Sequence, residues 1–201
     1  MNRQRFVQLS IGGLAGVHSP TWPLAAWGSL TGPFRQELTV DAGRLARSMR
    51  MLATFGANDA GGIDRVAFSD ANVEALDWIA RLLSDAGFST EIDLAGNLIA
   101  RKAGTDSSLL PLMFGSHIDS VPGGGNYDGQ VGSMSSVEVA ATFAAAGIVT
   151  RHPLEIAIFS NEEGGKTGSR ALAGEVEAFE VDIETASGLT IGEGLKRLGG
   201  D

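Results

Sequence analysis

The sequence predicts an α/β fold, and three observations carry that expectation. From Asp41 onward, segments with apolar residues at helical spacing alternate with short apolar runs of strand character. Two of those runs, residues 109–114 and 154–159, read as buried strands, and each empties into a polar, glycine-containing loop. The chain's 201 residues, 43% hydrophobic and 19% charged, suffice for one domain with a real core and not for two generous ones.

Residues 1–36 differ from the rest: Arg3 and Arg5 precede a glycine-containing apolar stretch, 9–17, that is too short to span a bilayer. This start resembles a twin-arginine export signal, degenerate because Gln4 separates the arginines, with Leu24-Ala25-Ala26 as the nearest cleavage candidate. The competing expectation is an N-terminal arm on a cytoplasmic protein. Asp41 caps a helix carrying Leu45, Met49 and Leu52 on one face. Ser69 or Asp70 caps a second helix, with Val73, Leu76, Ile79, Ala80 and Leu83 in register and Gly87 ending it. Residues 88–94 and 98–101 read as strands turned around Gly96-Asn97. After the strand at 109–114 comes a glycine-rich loop and a helix over 132–146, apolar on most sides. Residues 175–183 read as a loop with a short helix. Thr190 opens a final amphipathic helix with Ile191, Leu195 and Leu198 on its apolar side, ended by Gly199-Gly200. The sheet is expected to be mixed and mostly parallel.

Composition narrows the chemistry. With 15 basic and 24 acidic residues the formal charge is −9, which disfavours nucleic acid and anionic membranes as partners. The absence of Cys removes disulfides, thiolate zinc sites and Cys nucleophiles together, so any metal must be held by carboxylates and the three His. Candidate ligands concentrate at the ends of the two buried strands, the edge at which open α/β sheets build their sites. His117 and Asp119 are two residues apart and point the same way in an extended segment. A carboxylate so placed can fix the tautomer of a metal-binding imidazole. Asp128 comes eleven residues after His117, on the glycine-rich loop. Glu162 and Glu163 are adjacent, so one can meet a metal while the other handles a water. Imidazole with carboxylates suits Zn, Mn, Co or Ni. Taken singly, each has a plainer reading: a hydrogen-bonded strand-end His, an Asp-Gly turn, a solvated Glu pair. Together, at buried strand exits, they point to a metallohydrolase.

The segments G-S-H-I-D-S-V-P-G-G-G-N-Y-D-G-Q-V-G from Gly115, S-N-E-E-G from Ser160 and G-S-R-A-L-A-G from Gly168 resemble the amidase, hydantoinase/carbamoylase family, as does D-L-A-G-N-L-I-A-R from Asp93. That family includes N-carbamoyl-L-amino-acid hydrolases and allantoate amidohydrolases, within the class of two-metal aminoacylase- and carboxypeptidase-like enzymes. The resemblance implies a three-layer αβα catalytic domain of zinc-exopeptidase type, with residues 37–201 as its N-terminal part. It implies two divalent ions, with His117 a ligand to one, Asp128 bridging both and Glu163 a ligand to the other. Glu162 would be the general base that deprotonates the nucleophilic water, and Asp119 would orient His117. The implied reaction is hydrolysis of a linear amide-type C–N bond in a small N-carbamoyl or ureido substrate.

Family members continue into a lid and dimerisation domain and carry further ligand histidines beyond the region matched here. Three ligands are too few for a closed two-metal site, and neither His18 nor His152 is placed to add one. A truncated, inactive chain with a partial metal site is therefore the alternative expectation. A remote third reading is a phosphate-binding loop at residues 160–167, which ends in Gly165-Lys166-Thr167 but holds two carboxylates where phosphates would sit.

Overall fold

The structure, a computed structural model, describes residues 38–200; the export-signal expectation falls outside them. Asp41 caps α1 (Ala42–Leu52) by accepting the Arg44 N–H, which satisfies one of the helix's unpaired first-turn donors. Ser69, rather than Asp70, caps α2 (Asp70–Asp85) through the Asn72 N–H. Strands β1 (Ser89–Ile92) and β2 (Leu98–Lys102) form a hairpin. Its turn is organised by Asp93, whose Oδ1 accepts the backbone N–H groups of Ala95 and Asn97. β3 (Leu112–His117), α3 (Gln130–Ala145) and β4 (Leu154–Phe159) form a βαβ unit. Beyond it lie α4 (Thr167–Leu172), a 3₁₀ turn at Ala178–Asp182 and α5 (Ile191–Leu198). Thr190 and Glu193 form a capping box on α5, and Gly199 ends it in the left-handed region.

The sheet runs β1-β2-β4-β3. It is mixed, as expected, but only β3–β4 is parallel; β1–β2 and β2–β4 are antiparallel, so parallel pairing does not dominate these strands. A second expectation is corrected with it. β4 is central and buried, whereas β3 lies at the edge with Leu112 and Met113 exposed. β3 also starts later than its apolar run, because Pro111 has no N–H to give the ladder, and it continues through His117. The apolar run 109–114 is thus strand in type but not buried in place.

The main core joins α1, α2 and α3 to one sheet face. Leu52, Ile79, Leu83, Leu98, Met134, Ile156 and Ile158 are among its almost fully buried members. Each such side chain contributes about 1.5–3 kcal/mol relative to exposure. A smaller cluster, Phe68 with Ala67, Ile191 and Leu195, seats α5. The single parallel pairing positions the candidate residues. It sets His117 beside Phe159, so both strands end together and their exit loops lie side by side.

Candidate active site

The first loop leaves β3 through the buried residues Ile118, Asp119 and Ser120. Ser133 on α3 donates to the His117 carbonyl at 2.7 Å, fixing the strand end. The His117 ring is buried, and its Nδ1 faces two acceptors, the Asp119 carbonyl at 3.2 Å and Asp119 Oδ1 at 3.4 Å. Those acceptors favour the tautomer with its proton on Nδ1, so the neutral ring presents its lone pair at Nε2. Nε2 points to Glu162, whose Oε2 is 3.5 Å away. Asp119 Oδ2 accepts the Glu163 N–H at 3.1 Å, which ties the β4 exit to the β3 exit.

The second loop, 160–166, is held from below. Asn97, fully buried, accepts the Ser160 N–H at 2.9 Å and donates to Asp93 and to the Gly168 carbonyl. Asn161 sits at φ 47° and donates to the Thr167 hydroxyl. Lys166 reaches Glu162 at 3.9 Å. These contacts overturn the phosphate-loop reading: Thr167 is buried and engaged, Lys166 faces a carboxylate, and α4 is only six residues long.

Asp128 and Gly129 lead into α3, with Gly129 as its N-cap. Gly129 has φ 69°, and a Cβ there would lie well inside 3.0 Å of His117 Nε2. The Asp-Gly pair is therefore more than a turn: glycine lets the helix start approach the imidazole and brings Asp128 to the site. Asp128 is exposed, and its charge acts on Glu163. Partial burial pushes the Glu163 carboxyl up; His117 opposes this, while Asp128, Asp119 and Glu162 add to it. Burial pulls the His117 imidazole down, but the Asp119 carboxylate beside Nδ1 and the charge of Glu162 outweigh it and hold it above its ordinary value.

The structure thus brings His117, Asp119 and Glu162 together, pins Glu163 by its backbone, and sets Asp128 within electrostatic reach. Among the described residues no three His, Asp or Glu side chains already converge as a cage for an ion. The donor set nevertheless fits a divalent cation in kind. Imidazole Nε2 faces the Glu162 carboxylate, Asp119 Oδ1 is buried with only the 3.4 Å approach of His117 Nδ1, and the charges of Asp128, Asp119 and Glu162 all bear on Glu163. His152 is half-buried at the opposite end of β4 and bonds the Leu110 carbonyl, as its position before the strand implied. A cavity of about 80 Å³ opens beside Asp119, Asn161 and Glu163, walled by Val66, Ala67 and Val121. A larger one, about 220 Å³, lies between α1, α2 and α3 and is lined by none of the candidate site residues.

Several residues that shape the site are not distinguished by the sequence reading. Asn97 had a signal, since Asp93-Leu94-Ala95-Gly96-Asn97 reads as an Asx-stabilised turn. Arg65 had none: an arginine in an interhelical loop reads as solvated, yet it is fully buried here.

The Peptidase family M28 model matches residues 97–186. The N-carbamoyl-L-amino acid amidohydrolase of Geobacillus stearothermophilus is 37% identical over 163 residues, covering 79% of this chain and 40% of that protein. The ureidoglycolate hydrolase of Oryza sativa subsp. japonica is 32% identical over 151 residues, covering 73% of this chain and 31% of its own length. Among solved structures, a hydantoinase/carbamoylase family amidase from Burkholderia ambifaria superposes with a TM-score of 0.76 at 38% identity, over 81% of this chain and 42% of that one. The chain spans about two fifths of the length of these first relatives.

Proposed function

We propose, for a chain that belongs to the hydantoinase/carbamoylase family of amidases, that its strand-end cluster is part of a metal-dependent active site hydrolysing the C–N bond of a small N-carbamoyl or ureido compound. The observation that carries this reading is one juxtaposition: His117 held by Asp119 on its Nδ1 side, with Nε2 facing Glu162, at the shared end of two parallel strands. His117, Asp128 and Glu163 would hold the divalent ions, two in number, with Zn, Mn, Co and Ni all compatible with such donors. Bound ions supply Lewis acidity, making water a competent nucleophile near neutral pH and polarising the substrate carbonyl.

The chain's own residues do the rest. Asp119 fixes the imidazole tautomer and, through the Glu163 N–H, the spacing of the two exit loops. Glu162, about three-quarters buried beside His117 Nε2, accepts the proton of the attacking water and delivers it to the leaving nitrogen. The cavity beside Asp119 and Glu163 receives a small substrate group and excludes water from it.

The test is metal content per chain after dialysis against trace Zn or Mn, with Glu163→Ala alongside. One or two ions retained by the native chain and lost in the variant support the reading and lead to hydrolysis assays on N-carbamoyl amino acids. No specific uptake by a folded chain would overturn it for this chain and support the inactive-fragment alternative.

A further inference from the structure

We propose that Arg65 is a positioning residue for this site: its buried side chain holds the Ile118–Ser120 turn, and through that turn the Asp119 carboxylate that faces His117. The inference rests on the reading that His117 meets a metal through Nε2.

The contacts grip the turn from both sides of Asp119. Arg65 Nε donates to the Ile118 carbonyl at 2.7 Å. The Arg65 backbone N–H donates to Ser120 Oγ at 3.2 Å, and the Ser120 N–H returns to the Arg65 carbonyl at 3.0 Å. Ser120 Oγ then donates to the Ile63 carbonyl. The far end of the guanidinium anchors elsewhere: Nη1 donates to the carbonyls of Leu52 and Phe55 at 2.8 Å, at and just past the end of α1. Asp119 is therefore suspended between two residues that Arg65 ties to the C-terminus of a helix.

A plainer role is available, since those carbonyls need donors whatever happens at the site. Two features go beyond it. A fully buried cation is costly, and capping carbonyls requires only neutral donors. Moreover, Arg65 Nη2 is buried without a hydrogen-bond partner, and Asp119 Oδ1 is buried with only the 3.4 Å approach of His117 Nδ1. The structure thus keeps a positive and a negative group beneath the same turn, where low dielectric strengthens their attraction. Burial lowers the guanidinium to about 10, with Asp119 opposing the fall, so it stays charged at neutral pH.

The chain has three histidines, which makes the His117 ring readable by long-range ¹H–¹⁵N NMR of the metal-free protein, at a pH where the imidazole is neutral. His117→Gln assigns its signals. The native ring should show a protonated Nδ1 and an unprotonated Nε2. Asp119→Ala should move both signals toward the average of two tautomers. Arg65→Lys keeps charge but cannot bridge Ile118 and α1 at once, and should move them in the same direction, as should the milder Ser120→Ala to a smaller extent. If Asp119→Ala shifts the ring while folded Arg65→Lys and Ser120→Ala leave it native, Arg65 only caps α1 and the proposal fails, with the site reading intact. If Asp119→Ala leaves the ring unchanged, the assigned role of Asp119 fails and this proposal with it. Should Arg65→Lys not fold, the Ser120→Ala result decides.

Discussion

Replacing Gly129 by Ala tests whether the start of α3 is built around His117. Two costs add. At φ 69° an L-residue is strained by about 1–2 kcal/mol. The new methyl would also sit well inside 3.0 Å of His117 Nε2, so either the ring leaves Asp119 or the helix start backs away. Overpacking of this kind costs about 1–3 kcal/mol. The variant should therefore lose about 2–5 kcal/mol in urea unfolding of the metal-free chain. Gly123→Ala is the control: its φ is 66°, but a Cβ there meets nothing within 4 Å, so it should show the backbone cost alone. The difference between the two variants reads the ring contact. Metal uptake should fall in Gly129→Ala, because the displaced part is the lone-pair nitrogen and its neighbour Asp128, and should persist in Gly123→Ala. Equal losses of stability with unchanged metal uptake in both would refute the reasoning.

The same geometry sets three further outcomes. His117 and Glu163 both bind protons more tightly in the folded chain, so their contributions are complete below the ordinary values of 6.5 and 4.5 and are lost as pH rises through the raised ones. Metal-free stability should accordingly fall with pH above 6.5; His117→Gln should flatten that fall, and added Zn or Mn should reverse it, all measured by urea midpoints. Glu138, buried on α3, accepts the Arg44 fork, the Asp41 N–H and the Thr142 hydroxyl. With Arg44 37% exposed, Glu138→Ala should cost about 2–3 kcal/mol, and Arg44→Ala more, since it strands a buried carboxylate; metal uptake by the folded variants should be unchanged. Asn97→Ala removes the acceptor of the buried Ser160 N–H and the donor to Gly168, and should cost about 2–4 kcal/mol with weakened metal uptake, read by the same unfolding and dialysis assays.

Much of the fold is legible in the residues alone, and the reason is local. Caps at Asp41, Ser69 and Thr190, apolar periodicity in α1, α2 and α5, and the strand character of β4 are written in neighbouring residues, where propensity and patterning act directly. The candidates His117, Asp119, Glu162 and Glu163 stand out because two strand exits each carry a compact motif. What the residues could not disclose is pairing. Whether β3 is central or at an edge depends on which strand accepts its hydrogen bonds, and no feature of 109–114 encodes that. The same holds for Arg65. Its chemistry is that of a surface residue until three carbonyls and a carboxylate, brought from α1 and the β3 exit, surround it. The elements and the chemical kinds gathered at their ends follow from neighbouring residues. Which of them touch follows from long-range pairing, because β3 lying parallel on β4 sets two distant loops at the same height.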